Sequence, residues 1–286
     1  MESICLKSPA KLNLFLKVKN KRKDGFHNIE TIFERINLFD TIKLKVNSLN
    51  KIRVFCSHPD VPLGSSNLCF KAAKLLRDEF GKSLGVDIYL NKRIPVAAGL
   101  GGGSSNAAFV LLGLNKLWHL GLTKKELLEF GSYLGSDVAF FVSQESFALG
   151  KARGEKILPL KGISPKWHIL VIPPLKLKTF KVYEKLNLRL TKKRVSVNIL
   201  IHALRRSTIA PLGRLLMNDL EEAAAKVQPG ILRLKNRLKE IGIEYPTLSG
   251  SGPAIFALAN SKKQAQALKK SLQDKVRAKV LVVKTY

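Results

Sequence analysis

The chain is short of cysteine, acid and long apolar runs. Cys5, Cys56 and Cys69 are the three cysteines among 286 residues. Their odd number and the lack of C-x-x-C spacing exclude a zinc or disulfide framework and predict reduced thiols in a cytoplasmic protein. No stretch approaches 18 uncharged apolar residues, so no membrane-spanning helix and no membrane partner are expected. Residues 1–7 lack the charged and apolar succession of a secretory signal. Acid is scarce, with 21 Asp and Glu against 50 Lys and Arg, a formal charge of +29. Such a balance fits nucleic-acid binding, small polyanionic substrates or a generally lysine-rich proteome. The sequence carries no RNP motif, no paired Cys/His finger and no basic zipper. Most of the charge is therefore read as solvated surface that attracts polyanions without specificity.

What is present is a dense glycine run. Gly99-Leu100-Gly101-Gly102-Gly103-Ser104-Ser105 lies between Pro95 and an apolar stretch at 106–117. Glycine lets backbone approach an anion closely and adopt positive φ. A helix that starts there offers unpaired N–H groups and the positive end of its dipole. Ser104 or Ser105 suits the N-cap, and the alternation at 86–91 reads as the preceding strand. No lysine closes the run, which excludes a Walker A loop, and the third glycine of a dinucleotide fingerprint is missing. A tight turn without ligand is the plainer reading, but such a turn needs one or two glycines. A lysine-free phosphate cradle is the expectation.

Periodicity predicts strands at 12–18, 28–38, 40–46, 51–56, 147–149, 167–173, 254–259 and 278–284. It predicts helices at 67–80, 106–117, 124–134, 198–203, 213–226, 230–241 and 261–273, with a short apolar element at 138–142. Thr123 and Glu126 form a capping box, and Gly242 suits a helix stop. Residues 150–162 read as loop or domain junction, 176–191 as exposed basic helix or loop, and 246–251 as a second small-residue loop. With 45% hydrophobic residues, the chain is long enough for one large or two ordinary domains of α+β class.

Few residues could complete a phosphoryl-transfer site. Lys11 and Asn13 are two apart on a strand and so share a face. Lys11 either serves the site or precedes the strand, exposed. Asp137, beside an apolar run, is costly to bury unless paired; Lys11 could pair with it and keep it ready to accept a proton. Capping the following segment is the alternative. Phe26 and His27 suit stacking on a base and reading its edge, or simple core packing. Gly250 and Ser251 could close over phosphates or form a plain turn.

Taken together, Ser8-Pro-Ala-Lys-Leu-Asn-Leu14, the Pro95–Ser105 block and Leu248-Ser-Gly-Ser-Gly-Pro253 resemble, in order, the three motifs of the GHMP kinase superfamily. Asp24-Gly-Phe-His27 and Gly-Ser-Asp-Val-Ala-Phe-Phe141 narrow the resemblance to the 4-diphosphocytidyl-2-C-methyl-D-erythritol kinase family, across residues 7–282. The resemblance implies a two-domain α+β fold: an N-terminal ribosomal-S5-domain-2-like domain (1–158), a C-terminal ferredoxin-like domain (159–286) and an active site in the cleft between. It implies ATP and Mg²⁺ as cofactors and a cytidine-diphosphate sugar alcohol as acceptor. Asp137 would be the base and Lys11 its partner. Pro95, Gly99, Leu100, Gly101, Gly102, Gly103, Ser104 and Ser105 would wrap the triphosphate, with Ser105 near the metal. Asn67 and Lys92 match positions near the adenine. Asn13, Phe26, His27, Tyr183, Gly250 and Ser251 would meet the acceptor. Ala97-Ala98 stand where the family carries more glycine, and Phe26 replaces a commoner tyrosine. The rivals are a homoserine- or mevalonate-type kinase of the same superfamily and, from another class, a basic nucleic-acid-binding protein. A monomer or weak dimer is expected.

Overall fold

The computed structural model describes residues 2–81, 85–187, 196–206 and 209–286. Two sheets carry the molecule. The first has the order β3-β4-β2-β1-β8, with β5 paired to β2 and β6 to β5. Its strands are β1 (Ser3–Lys21), β2 (His27–Asn47), β3 (Ile52–Cys56), β4 (Gly85–Asn91), β5 (Phe147–Lys151), β6 (Lys156–Pro159) and β8 (Met217–Asn218). The second has the order β11-β7-β10-β9, from β7 (Trp167–Ile172), β9 (Thr247–Leu248), β10 (Ile255–Ala259) and β11 (Lys279–Lys284). Its antiparallel pairings, with sequence order fourth-first-third-second, are those of a ferredoxin-like half.

The strands expected at 12–18, 28–38 and 40–46 merge into one long β1–β2 hairpin. Pro9 explains the break in the alternation. It pairs with Phe39 while Ala10 pairs with Ile36, so Asn37 and Leu38 bulge out. Proline has no N–H for the ladder, and a bulge is where a strand tolerates it. The central part of β1 is buried on both faces, so its polar residues Lys11 and Asn13 are buried along with its apolar ones. One face is covered by α1 (Leu68–Glu79), α2 (Gly102–Leu117), α3 (Lys124–Leu134) and α4 (Ser136–Ser143).

Residues 150–162, read as a loop because of Gly150, Gly154, Pro159 and Gly162, include the β5–β6 hairpin that extends the first sheet. The helix expected over 213–226 is instead α7 (Ile209–Leu215), the strand β8 and α8 (Glu221–Val227). Asn218 and Asp219 break it: Asn218 Oδ1 accepts from Leu220 N–H at 2.9 Å, and the Asp219 carboxylate accepts from Val18 N–H of β1 at 2.9 Å. β8 pairs in parallel with β1, so the later half of the chain completes the first sheet. The basic stretch 176–191 holds α5 (Thr179–Glu184); its residues 188–191 lie outside the described residues. The helices α6 (Val197–Arg206), α9 (Gly230–Glu240) and α10 (Lys262–Leu272) stand near the expected places, and the loop at 246–251 contains the short β9. Among the described residues no helix is long and apolar enough to cross a membrane.

Candidate active site

Between the two sheets lies a cavity of about 1040 Å³. Three small-residue blocks meet there, held by backbone contacts. Lys11 N–H donates to Leu100 O at 3.0 Å and Ala254 N–H to Ala98 O at 3.2 Å. The Ser249 hydroxyl donates to Gly99 O at 3.0 Å. Gly99 is required by this closeness: its φ is +76°, and a Cβ there would stand 2.1 Å from Ser249 O. Ala97 adopts positive φ as well, at 53°.

The α2 helix begins earlier than its apolar pattern suggests. Its N-cap is Gly101 in the left-handed region (φ 68°), and Gly102 is the first helical residue. Ser104 and Ser105, expected at the cap, lie in the first turn instead. Only glycine accommodates this cap comfortably, since a Cβ on Gly101 would sit 3.0 Å from Lys11 Cγ and from the Phe141 ring. Gly99, Leu100, Gly101, Gly102, Gly103 and Ser104 all line the cavity, as does Pro95. The unpaired N–H groups of the α2 first turn belong to this segment.

Ser105 goes elsewhere. It is fully buried, and its hydroxyl accepts from Ser8 at 2.9 Å. The helical turn that presents Ser104 to the cavity directs Ser105 to β1, so the expected Ser105–metal contact is not formed by this arrangement. Among the described residues there is no group of three or more His, Cys, Asp or Glu fit to hold a metal ion. The Ser104 hydroxyl and the Asp137 carboxylate are two of the oxygen donors that line the cavity. Such a pair fits Mg²⁺ as it accompanies a nucleotide, held by phosphates, water and one or two protein ligands.

Lys11 is inside β1, not ahead of it, and is 3% exposed. Its ammonium donates to Asn13 Oδ1 and stands 3.5 Å from Asp137 Oδ2 and 5.8 Å from the Phe33 ring centroid. Asn13 donates in turn to Thr31 Oγ1 at 2.8 Å. Asn13 thus links Lys11 to Thr31, and it lines the cavity itself. Asp137 sits in the first turn of α4, capped by Gly135, where the helix dipole favours a carboxylate. Gly250, with φ +56°, leaves the room these groups need: a Cβ there would be 3.2 Å from both Lys11 Nζ and Asn13 Oδ1.

Phe26, His27 and Tyr183 line the other end of the cavity. The His27 and Tyr183 rings stack at 5.1 Å with 29° between their planes. Burial first, and the nearby Lys21 second, push the His27 pKa below its ordinary value. Burial, reinforced by Asp137, pushes the Tyr183 phenol up to about 12, so it stays protonated. Ser251 meets the Thr179 hydroxyl at 2.8 Å.

Two expected nucleotide contacts are already engaged. Asn67 caps α1, accepting from Cys69 N–H at 2.7 Å and donating to Pro62 O. The Lys92 ammonium is paired with the fully buried Asp40 and donates to Asn106 Oδ1 at 2.9 Å. Both line the cavity, and the Lys92 ammonium stands at the glycine loop, 3.2 Å from where a Cβ on Gly102 would lie. Asp40 also accepts from Arg93 and Ile94 N–H at 2.7 and 2.9 Å, fixing the chain that leads into the glycine run. Sequence reading missed Asp40, whose position beside Phe39 suggested only another strand residue. It also missed Asn218, which donates to Leu248 O at 2.8 Å and Gly250 O at 2.7 Å.

Comparison with known proteins agrees with this geometry. The model for the GHMP kinases N terminal domain matches residues 67–145, and that for GHMP kinases C terminal matches residues 200–278. A protein of Geobacillus kaustophilus named 4-diphosphocytidyl-2-C-methyl-D-erythritol kinase is 42% identical over 94% of this chain and 93% of its own length. One of the same name from Gloeothece citriformis is 38% identical over 96% and 93%. A crystal structure of 4-(cytidine 5'-diphospho)-2C-methyl-D-erythritol kinase superposes with a TM-score of 0.79 at 32% identity, covering 98% of this chain and 99% of that one. A homoserine kinase from Cytophaga hutchinsonii shares the fold, with a TM-score of 0.75 at 18% identity, 100% of this chain and 95% of that one. The chain belongs to the 4-diphosphocytidyl-2-C-methyl-D-erythritol kinase family, within the GHMP kinases.

Proposed function

We propose that this protein transfers the γ-phosphoryl group of ATP to the 2-hydroxyl of 4-diphosphocytidyl-2-C-methyl-D-erythritol, in the non-mevalonate route to isoprenoid precursors. The observation that carries the reading is the Lys11–Asp137 pair at 3.5 Å, at one cavity with the glycine loop and the Phe26–His27–Tyr183 group. The α2 N-terminus would receive the triphosphate. Asp137 would accept the proton of the attacking hydroxyl, and Lys11 would hold that carboxylate ionised and stabilise charge on the transferred group. Mg²⁺, when bound with the nucleotide, supplies charge neutralisation between phosphates; Ser104 and Asp137 are the residues that would meet it.

The aromatic end favours this acceptor over homoserine or mevalonate, neither of which carries a base to stack or an edge to read. We read the polypeptide as dividing near residues 158 and 159, with the cytoplasm as its compartment. The test is phosphorylation of the cytidine-bearing alcohol by the purified protein with Mg-ATP, beside homoserine and mevalonate. Turnover confined to the cytidine-bearing acceptor supports the assignment; turnover of either control instead removes it.

A further inference from the structure

We propose that Arg153 is the residue that reads the diphosphate of the acceptor, and so makes the site prefer a nucleoside diphosphate over the bare nucleoside. The inference rests on the acceptor assigned above. Arg153 stands in the tight turn between β5 and β6, where Lys151 pairs with Lys156. The turn is fixed to the acceptor end: Ile29 N–H, two residues beyond His27, donates to Ala152 O at 2.6 Å. Gly154 lies against the other end, since a Cβ there would be 3.5 Å from the Cβ of Ser136, the neighbour of Asp137. Arg153 thus spans the gap between base reader and proton acceptor, which is where a diphosphate joining base and alcohol must run.

Arg153 lines the cavity, its guanidinium is 5.2 Å from the Phe26 ring centroid, and its side chain is 30% exposed. Its protein partners are weak ones: Ser132 O at 3.5 Å and Glu155 at 3.7 Å. The other cations nearby are differently placed. Lys11 is engaged by Asn13 and Asp137. Arg22 is paired with Asp24 at 2.9 Å, while Lys21 and Lys178 are exposed side chains at the rim. A planar guanidinium with free donors matches phosphate oxygens two at a time, as an ammonium does not.

The experiment compares cytidine, CMP and CDP as competitive inhibitors of wild type, Arg153→Gln and Arg153→Lys. In the wild type, affinity should rise from cytidine to CDP. In R153Q, CDP should weaken at least tenfold while cytidine stays within twofold, and R153K should recover part of the loss. KM for ATP should stay within twofold in both variants. A CDP preference that survives R153Q overturns this inference alone. Equal weakening of cytidine and CDP overturns it in favour of a stacking role on Phe26. A wild type that binds neither ligand overturns both the inference and the acceptor on which it rests.

Discussion

Lys11 Nζ lies 3.5 Å from Asp137 Oδ2, and the two side chains differ in exposure, at 4% and 32%. The cation is on the dry side of the pair and the carboxylate on the wet side. A hydroxyl entering the cavity would therefore meet the carboxylate first, with the ammonium behind it.

Asp137→Asn keeps the shape and removes the base. Loss of general-base help alone is worth about 10²- to 10⁴-fold. We expect kcat to fall within that range while ATP binding, followed by nucleotide fluorescence or calorimetry, is retained. Turnover near wild type would dismiss Asp137 as the proton acceptor.

His27 provides a pH signature. Its lowered pKa means that, between the folded value and the ordinary 6.5, the unfolded chain binds more protons than the folded one. Stability from this residue is complete above that window and is lost as pH falls through it. Removing the second cause with Lys21→Met should raise the pKa towards the ordinary value, while burial keeps it depressed. Proton NMR of the imidazole resolves both; a His27 pKa at or above 6.5 in the wild type contradicts the burial argument.

Two glycines of the same loop should respond oppositely to alanine. Gly99→Ala forces a Cβ into Ser249 O at a positive φ, so both thermal stability and nucleotide binding should drop. At Gly103 the nearest atom is Leu68 Cδ1, 4.0 Å away. Gly103→Ala should leave the melting temperature unchanged or raise it, by up to about 1 kcal/mol of stability. Comparable destabilisation by both would mean that the close approach at Gly99 is not the constraint.

Asn218 is not among the residues lining the cavity, yet it donates to Leu248 O and Gly250 O beside Lys11. Asn218→Ala strands two carbonyls and should cost about 1–3 kcal/mol. Because Gly250 abuts Lys11 Nζ, kcat should fall as well, with KM for ATP nearly unchanged. A stability loss with unaltered kcat would reduce Asn218 to a structural support.

Glu34 and His168 join the two sheets away from the cavity. Both side chains are fully buried and meet at 2.9 Å, and the Thr285 hydroxyl donates to Glu34. His168→Leu removes one hydrogen-bond partner of the buried Glu34 side chain, and leaving such a group short of a partner costs about 1–3 kcal/mol. Chemical denaturation measures it; a loss below 1 kcal/mol would show that the carboxylate finds another partner.

The local chemistry of the site was legible where one residue type could serve only one geometry. Four glycines before a helix announced the loop, and a lysine two residues from an asparagine announced a shared face. Helix caps set by backbone φ were less legible, so Gly101 displaced the serines. The β5–β6 hairpin hid behind turn-forming residues, and Arg153 with it. Asp40 and Asn218 escaped because a buried polar side chain has no periodic signal: its meaning lies in partners tens of residues away. Ser105 is the instructive case. A hydroxyl beside a phosphate loop reads as a ligand, but one residue along a helix turns its side chain about 100° away, here towards Ser8.

The parallel pairing of β8 with β1, together with the Ala254–Ala98 and Ser249–Gly99 contacts, makes the cavity a product of both chain ends. While the polypeptide is being synthesised, the glycine loop and Lys11 emerge long before the strand and loop that close over them. Contacts of such long sequence separation form late. A nascent chain, or a fragment cut before residue 248, would hold the glycine loop without Ser249 and the Gly250–Gly252 wall that meet it. Phosphoryl transfer should therefore switch on only once residues 248–254 have joined the glycine loop.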